Sequence, residues 1–137
     1  MELDRLAVYV GAGTCLALVA VLAAPFALLD QPGTGLGIYY RSGPIGAAGI
    51  AFLAVIGVVV FLSGERGSAD PVTAAGVSVT ASVGLVLLTL SWALAVDPEN
   101  VLSFTAAWMG WHRWLVVGLA AVVLVSAGVY TREVLRA

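Results

Sequence analysis

The stretch from Val72 to Val96, VTAAGVSVTASVGLVLLTLSWALAV, contains no Asp, Glu, Lys, Arg or His. A helix rises 1.5 Å per residue, so about 20 apolar residues cross the hydrocarbon core of a bilayer, and this run is long enough. Working outward, three further runs share the property: Leu6 to Leu29 and Pro44 to Ser63 before it, and Trp114 to Thr131 after it. Every charged residue falls between or beyond the four. Hydrocarbon has no water to satisfy backbone N–H and C=O groups, so a lipid-exposed segment closes its hydrogen bonds as a helix. The sequence therefore predicts an all-α fold. It is a four-helix transmembrane bundle, up-down-up-down, forming a single membrane domain over residues 1–137, with a short outer interfacial segment before the fourth helix.

Composition narrows the function classes. Hydrophobic residues make up 61% of the 137 and charged residues only 10%, which excludes an ordinary water-soluble domain and a disordered chain alike. A net charge of −2 gives no reason to expect nucleic acid or an acidic substrate. The single cysteine, Cys15, lies inside the first run and has no intramolecular disulfide partner, so it reads as a small inert hydrophobe. The residues ahead of that run, Met1 to Arg5, are net negative, and the run outlasts the ~7–15 apolar residues of a secretory signal, so it is expected to remain a span.

Four spans put both termini on one face with the connection at Gly64 to Asp70. That face carries Arg5, Arg66, Arg132 and Arg136, against Arg41 and Arg113 on the other. The positive-inside rule then places both termini in the cytoplasm of a cell-membrane, multi-pass protein. Pro44 and Pro71 mark the starts of the second and third helices, since proline is tolerated where the N–H has no intrahelical partner, and Asp70 is the expected N-cap. Pro25 lies within the first run and removes the partner of the Val21 carbonyl, which predicts a kink near the outer end. Small residues recur at packing intervals: Gly76, Thr80 and Gly84; Gly46 and Gly49 with Ala47 and Ala51; Gly118, Ala121 and Gly128. These stripes are expected to face other helices, because small side chains let membrane helices approach closely.

The outer connections hold the few residues with chemistry. In Asp30 to Gly43, Pro32-Gly33 suits a type II turn, and Gly33, Gly35 and Gly37 lack the strand and helix context of a dinucleotide loop. Tyr39 and Tyr40 read as interfacial anchors ahead of ligand contacts. In Asp97 to Arg113, Asp97 and Pro98 can open a short helix whose Val101, Leu102 and Phe104 lie along the membrane surface, and Trp108, Trp111 and Trp114 form an aromatic belt. His112 is the only histidine. With no second histidine, and with Met109 only one turn away, an interfacial hydrogen-bonded role ranks above a haem or metal ligand. Arg113 is expected to snorkel or to pair with Asp97, Glu99 or Asp30. No catalytic set, metal site or cofactor is expected. The candidates for contact with an apolar ligand are His112, Trp111, Tyr39, Tyr40 and Trp92.

Several segments carry a resemblance: Leu3-Asp4-Arg5-Leu6, Gly33 to Gly37 followed by Tyr39-Tyr40 and Ser42-Gly43-Pro44, Trp92 to Pro98, and His112-Arg113-Trp114. On these the chain resembles an uncharacterised family of short four-span membrane proteins from halophilic archaea. The resemblance implies a fold and a source and carries no catalytic residue onto the sequence. The leading functional expectation is a non-enzymatic structural or accessory subunit whose partners are the lipid bilayer and either a second copy of itself or a larger membrane complex. The alternative is a binding or redox module holding a quinone, haem or other apolar ligand near the outer face. A small transporter or channel subunit ranks last, because uncharged helices give little to line a polar path.

Overall fold

The structure, a computed structural model, describes residues 2–28, 39–41, 46–67, 70–96 and 108–136. They form four long helices, α1 (Glu2–Leu28), α2 (Ala47–Arg66), α3 (Pro71–Ala95) and α4 (Met109–Arg136), and a helical turn over 39–41. There is no strand among the described residues. Each long helix contains a segment apolar and long enough to cross a membrane: Arg5–Pro25, Ala47–Gly64, Pro71–Ala95 and Gly110–Arg136.

The boundaries follow local chemistry. Asp70 caps α3, its carboxylate accepting from the Thr73 N–H and the Thr73 hydroxyl at 3.1 Å each, and Pro71 occupies the first turn as expected. The second helix starts at Ala47 after Gly46, whose φ of +80° is the left-handed region that favours glycine. The expected start at Pro44 lies outside the described residues, as do Pro32-Gly33, Gly35, Gly37 and the stretch from Asp97 to Ala107. The fourth helix differs from expectation. It begins at Met109, so Trp111, His112, Arg113 and Trp114 belong to its first turns and not to a connection. A reading that ends each span at the nearest charge misplaces this boundary, because His112 finds its partners inside the protein.

Helix α1 packs against α2 and α4, and α3 packs against the same two, closing a ring. His112 near the start of α4 reaches Val21 near the end of α1, while Gly64 near the end of α2 abuts Ala74 near the start of α3 and Tyr130 near the end of α4. Neighbouring helices therefore run antiparallel, giving the up-down-up-down order.

Small residues fill much of the interior, among them Ala12, Ala54, Ala75, Ala120 and Ala127, with Ser78, Ser82 and Thr89 buried beside them. Those three hydroxyls donate to carbonyls three residues back, at 2.8, 3.0 and 3.1 Å, so none of the three has to be satisfied by a neighbouring helix. Large apolar side chains crowd the outside, with Phe52, Leu94 and Val125 each about two-thirds exposed or more. This distribution suits lipid, which is as apolar as leucine and gives large side chains no reason to turn inward.

The close contacts correct the expected packing stripes. Gly76 and Thr80 are exposed, as are Gly118, Ala121 and Gly128, and a Cβ built on any of these three glycines meets nothing within 4 Å. Gly84 does face another helix as expected: it is half-buried, and a Cβ there would lie 3.2 Å from the Leu53 side chain of α2, closer than ordinary contact. Gly46 and Ala47 are buried, with Gly49 and Ala51 half-buried. The backbones approach elsewhere: a Cβ at Gly57 would lie 2.8 Å from Cys15 Sγ, one at Gly11 2.6 Å from the Phe61 ring, and one at Gly64 2.8 Å from the Ala74 methyl.

Candidate functional site: an aromatic and histidine cluster at the Pro25 end

Proline at position 25 has no N–H for the Val21 carbonyl, and inside a membrane an unsatisfied carbonyl costs free energy that water cannot offset. The helix nevertheless continues through Pro25 to Leu28. The missing donor comes from α4. His112, 1% exposed, places Nε2 2.7 Å from the Val21 carbonyl oxygen. A carbonyl only accepts, so Nε2 carries a proton, and the neutral ring then accepts at Nδ1. The Tyr39 hydroxyl lies 2.9 Å from Nδ1 and donates to it.

The chain of bonds continues through the backbone. Trp92 Nε1 on α3 donates to the Tyr39 carbonyl at 2.8 Å, and the Tyr40 hydroxyl donates to the Leu22 carbonyl on the same weakened turn of α1. Two donors thus converge on consecutive carbonyls just before Pro25, one from α4 and one from the turn over 39–41.

Ring packing encloses the bonds. Tyr39 stands edge-on to Trp92 with centroids 5.1 Å apart, Tyr40 stacks on Trp92 at 5.9 Å, and Trp108 meets His112 edge-on at 5.8 Å. Burial pushes the phenols of Tyr39 and Tyr40 well above the usual tyrosine range, with the Arg113 charge pulling Tyr39 back in part and Tyr39 adding to the rise at Tyr40. Both hydroxyls stay protonated, as their roles as donors require.

Of the sequence candidates, the structure brings His112, Tyr39, Tyr40 and Trp92 together and leaves Trp111 outside, 56% exposed. Tyr39 is a correction, because it is fully buried instead of anchoring at a headgroup interface. The turn over 39–41 folds back over the helix ends, where one tyrosine supplies a hydroxyl to His112 and a carbonyl to Trp92. The three-tryptophan belt is also divided. Trp111 and Trp114 face outward, while Trp108 packs on His112. A three-residue step falls about 60° short of a full helical turn, so three tryptophans at that spacing cannot share one narrow face. The Arg113 guanidinium lies 5.5 Å over the Trp114 ring, and its expected partners Asp30, Asp97 and Glu99 lie outside the described residues.

Sequence reasoning missed the backbone acceptors Val21 and Leu22 as members of the site. The available signal was Pro25 itself, which frees a carbonyl in a run without side-chain donors nearby. Chemically, the arrangement positions three helices and a connecting turn through directional bonds. Among the described residues, no group of three or more His, Cys, Asp or Glu side chains could hold a metal ion.

No curated protein and no solved structure matches the chain. A family model does match, over residues 1–135, and with it the chain belongs to the family of unknown function DUF7548.

Proposed function

We propose that the protein is a non-enzymatic multi-pass membrane protein, a structural or accessory subunit that serves a larger membrane complex or a second copy of itself. The observation that supports this most directly is the engagement of both His112 ring nitrogens. One bonds the Val21 carbonyl and the other the Tyr39 hydroxyl, so the residue best suited to hold a haem, quinone or proton is committed to joining α1, α4 and the 39–41 turn. Trp92 and Tyr40 are committed in the same way. Both termini lie in the cytoplasm in this reading, on the four-to-two distribution of arginines, and the resemblance noted above extends it to a halophilic archaeal source.

Gentle solubilisation followed by native mass spectrometry and an absorption spectrum tests the role. A partner membrane protein or a homo-oligomer at fixed stoichiometry, with no chromophore, is the expected result. A stoichiometric quinone or haem that leaves when His112 is replaced by Gln would overturn the accessory-subunit reading.

A further inference from the structure

We propose that Arg113, near the start of α4, is the anchor of a binding site for one phosphate group, supplied by an anionic lipid headgroup or by free inorganic phosphate. Its guanidinium nitrogens Nε and Nη1 are buried and have no hydrogen-bond partner among the described residues. A lysine or histidine in that place can shed its proton, but a guanidinium stays charged throughout the pH range of a folded protein. A cation withdrawn from water without a partner is strongly destabilising, so the position calls for an anion that accepts its N–H groups. The Trp114 ring, with the guanidinium carbon 5.5 Å from its centroid, attracts the charge but does not replace those acceptors. The Tyr39 hydroxyl donates to His112.

Space and depth fit a phosphate. Gly110 lies one turn before Arg113 and Trp114 on the same side of α4, is exposed, and would carry a Cβ that meets nothing within 4 Å, so room lies open beside the guanidinium. Arg113 as a whole is half-buried, which leaves the group within reach from outside, and the N-terminal end of a long helix adds positive potential there. The membrane-crossing segment of α4 begins at Gly110, so three residues of helix rise put Arg113 about 5 Å inside it, within an arginine's length of the headgroup level that exposed Trp111 and Trp114 mark. At that level phosphate is the anion that a phospholipid bilayer supplies. A headgroup with a net negative charge neutralises Arg113, whereas choline brings a cation of its own. This is selection of a headgroup at one position, distinct from the contact of apolar helix faces with lipid chains. It holds for either orientation of the bundle and does not depend on which partner the protein serves.

The full chain in detergent is titrated separately with phosphatidylglycerol, phosphatidylcholine and inorganic phosphate, and bound molecules are counted by native mass spectrometry. One phosphatidylglycerol should bind at least about tenfold more tightly than phosphatidylcholine, and Arg113→Gln should remove that preference, as expected for loss of a charge-assisted bond. Arg136→Gln, an exposed arginine at the other end of α4, should keep it. Gly110→Leu fills the open space, leaves the charge in place and should weaken binding as well; it serves if the Arg113 variant does not fold. Inorganic phosphate that binds one to one with the same dependence on Arg113, while the two lipids bind equally, would support the site and assign it to the free ion. Equal lipid binding with no phosphate bound, or a preference that survives Arg113→Gln or is lost equally in Arg136→Gln, would overturn the proposal. So would binding that emerges only after Asp97→Asn and Glu99→Gln, because the chain's own carboxylates would then hold Arg113.

Discussion

At the scale of single residues, the bond from His112 Nε2 to the Val21 carbonyl does work that the helix cannot do for itself. An unsatisfied buried carbonyl costs about 1–3 kcal/mol, while interhelical side-chain bonds in membranes average about 0.6 kcal/mol because the separated helices also find partners. His112→Ala should therefore destabilise the protein by about 1–3 kcal/mol in a detergent unfolding titration. Pro25→Ala restores an N–H to Val21, so the loss caused by His112→Ala should shrink in the Pro25→Ala background. Strict additivity of the two changes would refute the repair of Val21 by His112. Tyr39→Phe keeps the ring contacts and the carbonyl that Trp92 uses, and removes the hydroxyl that donates to Nδ1. Its cost should be about 1 kcal/mol, smaller than that of His112→Ala. Half of this relation is legible in the sequence, since Pro25 announces a carbonyl without a donor. The other half is not, because residues 91 positions apart in the chain meet only after the helices pack.

At the scale of helices, the sequence shows where each apolar run lies but not which way it faces. In a soluble protein the buried stripe is marked by large apolar residues against polar ones. Here every face is apolar, and Ala, Gly and Val recur often enough to place small residues on the outer face as well as the inner one. Exposed Gly76 and Thr80, and the stripe from Gly118 to Gly128, are the result, while Gly84 on the same run turns inward to Leu53. Contact geometry separates the two kinds of glycine. A methyl at Gly64 meets the Ala74 methyl, which sits on a neighbouring backbone and cannot swing aside, so Gly64→Ala should cost about 1–3 kcal/mol through overpacking. A methyl at Gly76 meets open space, so Gly76→Ala should be neutral or stabilise by up to about 1 kcal/mol from helix propensity alone. Unfolding of the two variants in mixed micelles checks the contrast, and equal effects would show that Gly64 is not a close-packing position.

At the scale of the whole molecule, the two ends of the bundle are built differently. One end is tied by directional bonds among His112, Tyr39, Trp92, Tyr40 and the carbonyls before Pro25, and the other by steric contact around Gly64, Ala74, Phe61 and Tyr130. Orientation decides which of these ends faces each side of the membrane. The arginines Arg5, Arg66, Arg132 and Arg136 flank the steric end, and cytoplasmic loops retain such residues because they resist translocation. Acidic residues contribute little to that bias, so the net charge of each face is no guide. The tied end should consequently lie outside. In a Cys15→Ala background, a cysteine introduced at Thr34 should react with a membrane-impermeant maleimide added to intact cells, and one at Ser68 should react only after the membrane is opened. The reverse pattern would put the His112 cluster at the cytoplasmic face, where a cytoplasmic partner would meet the bonded end of the bundle instead of the sterically packed one.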